Sequence, residues 1–171
     1  MIQFKPAIHK ADFIAISKLA KDIWTDHYTS IIGIDQVNYM LDNFQSETAI
    51  ENQIKIDHYK YFTIINKQKA VGYIAIKNKE DALFLSKIYI LKTCRGKGLG
   101  KLAMNFIEEQ AENSNCKKIY LTVNRHNTNS IKAYQNIGFK KIEELVLDIG
   151  NGFVMDDYKM EKIIIPSSSS E

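Results

Sequence analysis

The chain has 171 residues, of which 45% are hydrophobic and 25% charged, with eight glycines and two prolines, a composition typical of one compact domain. Its two cysteines, Cys94 and Cys116, lie 22 positions apart without any Cys-x-x-Cys or Cys/His ligand spacing, which disfavours a metal site or redox chemistry. No run of 18 apolar residues and no cleavable apolar leader is present, so we expect a cytoplasmic protein that does not span a membrane.

The distribution of charge is more informative than the net charge of +3, which is too small an excess to suggest nucleic-acid binding. Between Asp81 and Glu108 the chain has no acidic residue. The same window holds three of the eight glycines and five basic residues, Lys87, Lys92, Arg95, Lys97 and Lys101.

The first part of the chain predicts a strand and then helices. Residues 2–8 alternate well enough for a strand, and a helix is expected from about Asp12 to Tyr28 because apolar residues follow the i, i+3, i+4, i+7 rule at Ile16, Leu19, Ala20 and Ile23. Residues 37–44 repeat that pattern. A third, short helix is expected to begin at Ser46, whose hydroxyl is a suitable cap.

From residue 61 the pattern changes to strands alternating with helices. A hairpin and four further strands are expected, at residues 61–65, 70–76, 83–91, 117–123, 140–148 and 153–164. A helix begins at Leu99, on the spacing of Leu99, Leu102, Ala103, Phe106 and Ile107. A second helix, Thr128 to Ile137, is expected to end at Gly138 in a left-handed conformation.

The predicted order is β-α-α-β-β-β-α-β-α-β-β, which indicates an α/β fold with a mixed sheet and helices on both faces. The strand–helix–strand unit at residues 83–123 implies a right-handed parallel crossover. We expect a single domain over residues 1–165, followed by a flexible tail at residues 166–171.

The glycine-rich turn from Arg95 to Lys101 lies between a predicted strand and a predicted helix. Backbone N–H groups at a helix N-terminus bind anions, and glycines allow a ligand to approach the main chain closely. A P-loop would need glycine where Arg95 stands and Ser or Thr where Leu102 stands, and a dinucleotide fingerprint would need G-x-G-x-x-G rather than the observed G-x-G-x-G. The turn therefore predicts a phosphate site of another kind.

The segment Arg95-x-x-Gly98-x-Gly100 resembles the acetyl-CoA signature of the GCN5-related N-acetyltransferase (GNAT) superfamily. The resemblance covers residues 83–139 and includes a second signature, Asn127-x-x-Ser130-x-x-x-Tyr134-x-x-x-Gly138-Phe139. More loosely, the N-terminal helices and the segment Gly152 to Tyr158 resemble bacterial members that acetylate polyamines or other small amines. The resemblance implies the GNAT fold, with a mostly antiparallel twisted sheet, and acetyl-CoA as co-substrate without a metal.

The resemblance also implies a set of cofactor contacts. The main chain of Ile88, Tyr89 and Ile90 would pair with the pantetheine arm, and the pyrophosphate would meet the N–H groups of Arg95, Gly96, Lys97, Gly98, Leu99, Gly100 and Lys101. Asn127 and Ser130 match positions where the second crossover meets the cofactor. Asn127 is equally well explained as the cap of the following helix.

Tyr134 matches the general acid of the family. A phenol with a pKa of about 10 stays protonated at neutral pH and can donate a proton to a leaving thiolate whose pKa is about 8.5. By its helical spacing from Ile131 alone, Tyr134 would be taken as a core aromatic.

The resemblance does not identify a general base in this chain, because residues 84–87 read Phe-Leu-Ser-Lys where many relatives have a glutamate. The base is then either a chain of water molecules or a side chain from another part of the sequence. The candidate side chains are His27, His126, Asp156 and Asp157. Residues 143–161 contain six acids and one base, Lys159, which would attract a cationic amine unless the acids merely form a solvated face. By resemblance, the acceptor would be lined by Trp24, Tyr28 and Asp156 or Asp157.

The leading hypothesis is an N-acetyltransferase that transfers acetyl from acetyl-CoA to a small primary amine, with polyamines among the candidates, by direct attack in a ternary complex. The alternatives are acetylation of a protein or peptide α-amine and a non-catalytic acyl-CoA-binding module. A nucleotide-phosphate domain is disfavoured by the failed spacings. The resemblance makes a homodimer plausible, while no residue identifies one, and neither nucleic acid nor membrane is expected as a partner.

Overall fold

The structure is a computed structural model in which residues 1–165 are described, so the predicted tail at 166–171 lies outside the described residues. The strands are β1 (Ile2–Pro6), β2 (Lys60–Asn66), β3 (Lys69–Lys79), β4 (Ala82–Ile90), β5 (Lys118–Asn124), β6 (Lys140–Gly150) and β7 (Phe153–Ile163). The helices are α1 (Lys10–Ile32), α2 (Ile34–Phe44), α3 (Glu47–Lys55), α4 (Leu99–Asn113) and α5 (Thr128–Asn136).

The strands form a seven-stranded sheet in the order β1-β2-β3-β4-β5-β7-β6. The pairs β1–β2, β2–β3, β5–β7 and β6–β7 are antiparallel. The pair β4–β5 is parallel, as the crossover through α4 requires. The predicted α/β class with a mixed, mostly antiparallel sheet is confirmed. The short helix expected at Ser46 is present as α3, although the predicted order counts only two helices before β2.

Local sequence signals explain where the N-terminal helices begin and end. The Asp12 carboxylate accepts the N–H groups of Ile8 and His9 at 3.0 and 2.9 Å, so α1 begins at Lys10, two residues before the predicted start. The helix continues to Ile32 and ends at Gly33, where φ is +84°. The Ser46 hydroxyl accepts the Ala49 N–H at 3.1 Å, which confirms the predicted cap of α3.

The predicted β2–β3 hairpin is confirmed with longer strands. Its two connecting residues, Lys67 and Gln68, both have positive φ, at 51° and 66°. Two-residue hairpin loops need such angles because only mirror-image turns follow the twist of the strands. In α4, the predicted apolar stripe is wrong at Leu102, which is exposed, whereas Met104 is buried.

The chain divides into two compact units that are interleaved in sequence. Unit 1 consists of Met1–Lys77 and Ser86–Met104, and unit 2 consists of Asn78–Leu85 with the described residues from Asn105 onward. The core of unit 1 joins α1, α2 and α3 to β2 and β3, through residues that include Phe13, Ile16, Trp24, Val37, Ile50, Tyr61 and Tyr73. The buried apolar residues of unit 2 include Ile107, Ile119, Leu121, Ile131, Phe139 and Met160.

A buried hydrogen-bond network crosses the core of unit 1. The Tyr73 hydroxyl donates to Gln45 Oε1 at 2.6 Å, and Gln45 Nε2 donates to the Tyr61 hydroxyl at 3.1 Å. Tyr61 donates in turn to Gln53 Oε1 at 2.5 Å. Buried polar groups are costly unless they are paired, so this network fixes the connection between α2 and α3 against the sheet of unit 1. Among residues 1–165, no helix is long and apolar enough to cross a membrane.

Candidate active site

The glycine turn of unit 1 joins a short 3-10 turn, Lys92–Cys94, to the start of α4. Gly96 and Gly98 both have φ of +78°, a left-handed conformation that residues with a side chain rarely adopt. Leu102 N–H donates to the Gly98 carbonyl at 3.2 Å, so the N–H groups of the residues just before Leu102 belong to the free first turn of the helix. These donors and the positive end of the helix dipole suit a phosphate.

The basic residues of this turn do not all have the same role. Arg95 Nε donates to the Ile90 carbonyl at 3.0 Å, so its side chain fastens the turn to the end of β4. Lys97 and Lys101 are exposed and carry positive charge at the turn. The absence of any acid from residues 82–107 leaves that charge uncompensated along the sequence.

The end of β4 approaches β3 unusually closely at one point. A Cβ on Gly72 would lie 2.2 Å from the Tyr89 carbonyl oxygen, so this position requires glycine. Leu91 N–H donates to the Val71 carbonyl at 2.8 Å and holds the strand end in place. The parallel pairing of β4 with β5 comprises Ala82–Phe84 opposite Lys118–Tyr120, which is earlier in β4 than the predicted cofactor contacts Ile88, Tyr89 and Ile90.

Lys87 also lies on β4, and the sequence identified it only as one of the basic residues between Asp81 and Glu108. Its ammonium donates to the Ser86 hydroxyl at 2.6 Å, and burial lowers the pKa of this lysine to about 8. Such a pKa leaves a measurable neutral fraction at physiological pH, which a surface lysine does not have.

The predicted acceptor residues Trp24 and Tyr28 lie together with Tyr89 in unit 1. The Trp24 ring centroid is 5.7 Å from those of both Tyr28 and Tyr89, and the hydroxyls of Tyr28 and Tyr89 are 2.9 Å apart. Trp24 is buried and Tyr28 is half-buried. The candidate base His27 packs edge-on against Tyr28, with ring centroids 4.7 Å apart.

The second sequence signature begins three residues after the end of β5 and contains the helix α5 of unit 2. Asn127 occupies the N-cap position and is 5% exposed, but its side chain makes no cap hydrogen bond, so the capping interpretation is wrong. Ser130 and Tyr134 are half-buried along α5.

The predicted end of α5 is confirmed. Gly138 has φ of +105°, and Phe139 N–H donates to the Tyr134 carbonyl at 3.0 Å. The buried Phe139 ring contacts the Tyr134 ring with centroids 5.6 Å apart, which fixes the orientation of that phenol.

The acidic C-terminal region is less negative than its sequence indicated. Arg125, which the sequence analysis did not single out, places Nε 2.8 Å from the Asp156 carboxylate and a terminal nitrogen 3.7 Å from Glu144. Lys118 pairs with Glu161 at 2.9 Å. These bases come from the end and the start of β5, so a count of charges within residues 143–161 could not include them. The remaining histidine candidate, His126, is exposed next to Arg125.

Asp157 differs from the other acids of residues 143–161 because it is buried. It is 5% exposed and belongs to no ion pair within residues 1–165. Burial, followed by the charge of Asp156, raises the pKa of the Asp157 carboxyl to about 6, and a hydrogen bond with Thr122 opposes that rise.

Comparison with known proteins identifies the family. The family model of the acetyltransferase (GNAT) family matches residues 18–139, most of the chain. The chain belongs to this family. A probable spermine N(1)-acetyltransferase of Bacillus subtilis subsp. natto is 26% identical over 155 residues, which cover 85% of this chain and 95% of that protein.

Solved structures show the same fold. The PaiA N-acetyltransferase of Thermoplasma acidophilum, solved in complex with coenzyme A, matches with a TM-score of 0.79 at 18% identity, over 95% of this chain and 99% of that one. The ribosomal-protein-S18-alanine N-acetyltransferase of Escherichia coli matches with a TM-score of 0.71 at 14% identity, over 100% and 99% of the two chains. The predictions of the GNAT fold and of an acetyl-CoA-dependent N-acetyltransferase are therefore confirmed.

Proposed function

We propose that this GNAT enzyme transfers acetyl from acetyl-CoA to a primary amine of a small molecule, with polyamines as the first candidates. The cofactor part of this proposal is supported by the turn from Arg95 to Lys101, where two left-handed glycines precede the start of α4 and the free N–H groups suit an anion. The acceptor half is supported by the similarity to a spermine acetyltransferase and by the uncompensated carboxylate of Asp157.

The residues of each unit have separate roles in this proposal. In unit 1, the N–H groups of residues 95–101 hold the pyrophosphate, and the main chain of residues 88–90 pairs with the pantetheine arm. In unit 2, Asn127 and Ser130 contact the cofactor, and the Tyr134 phenol supplies a proton to the departing sulfur. When bound, acetyl-CoA supplies the activated acyl group.

The amine must lose a proton before it can attack. For an alkyl amine with a pKa of about 10.4, deprotonation at pH 7.4 costs roughly 4 kcal/mol, so the site has to supply a base, desolvation or a neighbouring charge. The acceptor contacts proposed from the resemblance are Trp24 and Tyr28 with Asp156 or Asp157. A homodimer stays a prediction from the resemblance.

A thioester-release assay tests this function across spermine, spermidine, amino acids, an aminoglycoside and peptides with free α-amines. We expect the highest kcat/KM with a polyamine. Preference for a peptide α-amine would instead support the second activity, and acetyl-CoA binding without release from any amine would support a non-catalytic module. Calorimetry with acetyl-CoA, ATP and NAD provides the control, and binding of ATP or NAD in place of acetyl-CoA would contradict the cofactor assignment.

A further inference from the structure

Asp157 lies on β7, opposite the last residue of β5, on one face of the sheet in unit 2. Its partner across the β5–β7 pair is Asn124, the last residue of β5, so these two side chains lie on the same face. Thr122, two positions earlier on β5, has its side chain on that face as well and forms the hydrogen bond with the Asp157 carboxyl. The carboxyl is thus buried beside neutral polar groups.

The charged groups around Asp157 are engaged elsewhere. On β7, Asp156 forms an ion pair with Arg125 at 2.8 Å, and Lys159 lies over the Tyr120 ring, 4.8 Å from its centroid. On β6, the residue opposite Asp157 is the uncharged Leu145, and the neighbouring Glu144 faces Arg125 at 3.7 Å.

A carboxylate in this position is unusual in energetic terms. Transfer of a charge from water to a protein interior is costly unless a partner compensates for it, and among residues 1–165 Asp157 has a hydrogen bond with Thr122 but no ion pair. The same burial makes Asp157 a stronger base than a surface aspartate, while most of it stays ionised near pH 7.5. Both properties suit a group that meets a cation from outside the chain and removes its proton.

We propose that Asp157 is the general base of the acetyl transfer: its carboxylate binds the ammonium form of the acceptor and takes the proton that the amine must lose. This inference rests on the proposed function and assigns a role that the sequence left open among four residues and a water wire. Thr122 acts through Asp157 as a positioning residue.

The proton balance of the reaction is complete with these groups. The ammonium transfers one proton to Asp157, and the freed nitrogen lone pair forms the N–C bond at the thioester carbonyl. The C–S bond breaks with its electron pair on sulfur. Sulfur receives a proton from the Tyr134 phenol, which recovers one from the nitrogen as the amide forms. Asp157 then releases its proton to solvent, so each turnover gives an amide, a thiol and one proton.

The main test is Asp157→Asn, which keeps the shape of the side chain and removes its ability to accept a proton. With the best acceptor from the panel, we expect kcat/KM at pH 7.5 to fall by about 10²–10⁴-fold, the usual contribution of a positioned base. The matched control is Glu143→Gln, which removes one negative charge at an exposed position of β6, and we expect less than about a twofold change there.

The pH profile of kcat/KM distinguishes a general base from a carboxylate that has only a structural role or only attracts the cationic acceptor. The wild type should lose kcat/KM as Asp157 becomes protonated below about pH 6, and Asp157→Asn should lack this limb. In the variant, kcat/KM should rise with pH because the free amine forms without a base. The difference in kcat/KM between the wild type and the variant should therefore shrink towards pH 10. Thr122→Val should move the wild-type limb to higher pH, because the hydrogen bond that opposes the raised pKa is lost.

Coenzyme A affinity, measured by calorimetry, and the melting temperature of Asp157→Asn should match or exceed those of the wild type. An active wild type together with an equally active Asp157→Asn, or an unchanged acid limb in that variant, overturns this inference alone. A loss of kcat/KM in Asp157→Asn that is equally large at pH 7.5 and pH 10 also overturns the assignment of the base, since that result indicates a structural role. A wild type that binds acetyl-CoA and acetylates no amine overturns the proposed function and this inference together.

Discussion

In the proposed function, the glycine turn of unit 1 and the β5–α5–β7 region of unit 2 contact their ligands through different kinds of atoms. The turn offers main-chain N–H groups, set by the positive φ of Gly96 and Gly98 and by the start of α4. The region in unit 2 offers side-chain groups, the phenol of Tyr134 and the carboxyl of Asp157.

This difference predicts how each region responds to substitution. A main-chain site depends on backbone conformation, so it tolerates many side-chain changes and fails where a glycine is replaced. A side-chain site depends on single oxygen atoms, so it fails when one of them is removed while the fold persists. We therefore expect substitutions in the turn to change cofactor affinity and substitutions in unit 2 to change turnover.

The largest effect is expected for Tyr134→Phe. Because the variant keeps the ring contact with Phe139 and loses only the hydroxyl, kcat should fall by about 10²–10⁴-fold while the Kd for coenzyme A changes little. Stopped-flow or steady-state thioester release and calorimetry measure the two quantities. Tyr39→Phe, the same change on α2, is the control, and a Tyr134→Phe enzyme with full turnover would contradict the assignment of the acid.

A smaller effect is expected for Gly98→Ala in unit 1. No atom lies within 4 Å of the added Cβ, so the penalty comes from the left-handed backbone alone, about 1–2 kcal/mol, or roughly 5–30-fold in coenzyme A affinity. Turnover at saturating acetyl-CoA should be nearly unchanged.

Gly152→Ala in the β6–β7 turn is the matched control, because Gly152 has nearly the same φ, +79°, and equally open surroundings. It should lower stability without changing the affinity for coenzyme A. Gly98→Asn should bind coenzyme A more tightly than Gly98→Ala, since asparagine tolerates the left-handed region better than alanine does. Equal affinity losses in both alanine variants would show that the turn has no special role.

The last predictions concern stability rather than activity. Ionisation of one buried aspartate is expected to stabilise the fold, and ionisation of another to destabilise it. In unit 1, hydrogen bonds from the main chain of His9 and Ile8 and the nearby Lys5 hold the pKa of Asp12 at about 2, below its ordinary 3.8. This carboxylate therefore stabilises the fold above pH 3.8, and its contribution is lost as the pH falls towards 2. Asp12→Asn should cost about 1 kcal/mol at pH 7.5, the usual value of an N-terminal cap.

In unit 2, the raised pKa of Asp157 means that ionisation opposes folding, so this residue lowers stability above about pH 6 and the deficit disappears as the pH falls towards 3.8. Asp157→Asn should stabilise the protein by about 3 kcal/mol at pH 7.5, a rise of roughly 6–12 °C in melting temperature, with most of the gain lost near pH 4. Melting curves of both variants across pH 3–8 measure the contrast. Destabilisation by Asp157→Asn at pH 7.5 would show that this carboxylate has a structural role.

Elements with strong local signals were predicted from the sequence. The β2–β3 hairpin, the Ser46 cap and the Gly138 helix end depend on residues within one turn of each other, so a single sequence contains all the information they need. Helix α1 was predicted too short because its first turn depends on a carboxylate that receives two N–H groups, which apolar periodicity does not reveal.

The sequence by itself determined the GNAT family, the order of the strands and the position of the glycine turn, because glycine spacing and apolar periodicity are local properties of the chain. Only the tertiary structure decided which acids are compensated. Arg125 and Lys118 neutralise acids that lie tens of residues away, and Asp157 is buried without an ion pair among residues 1–165. The physical reason is that charge compensation and burial depend on which strands become neighbours, and β7 lies next to β5 only in the folded sheet.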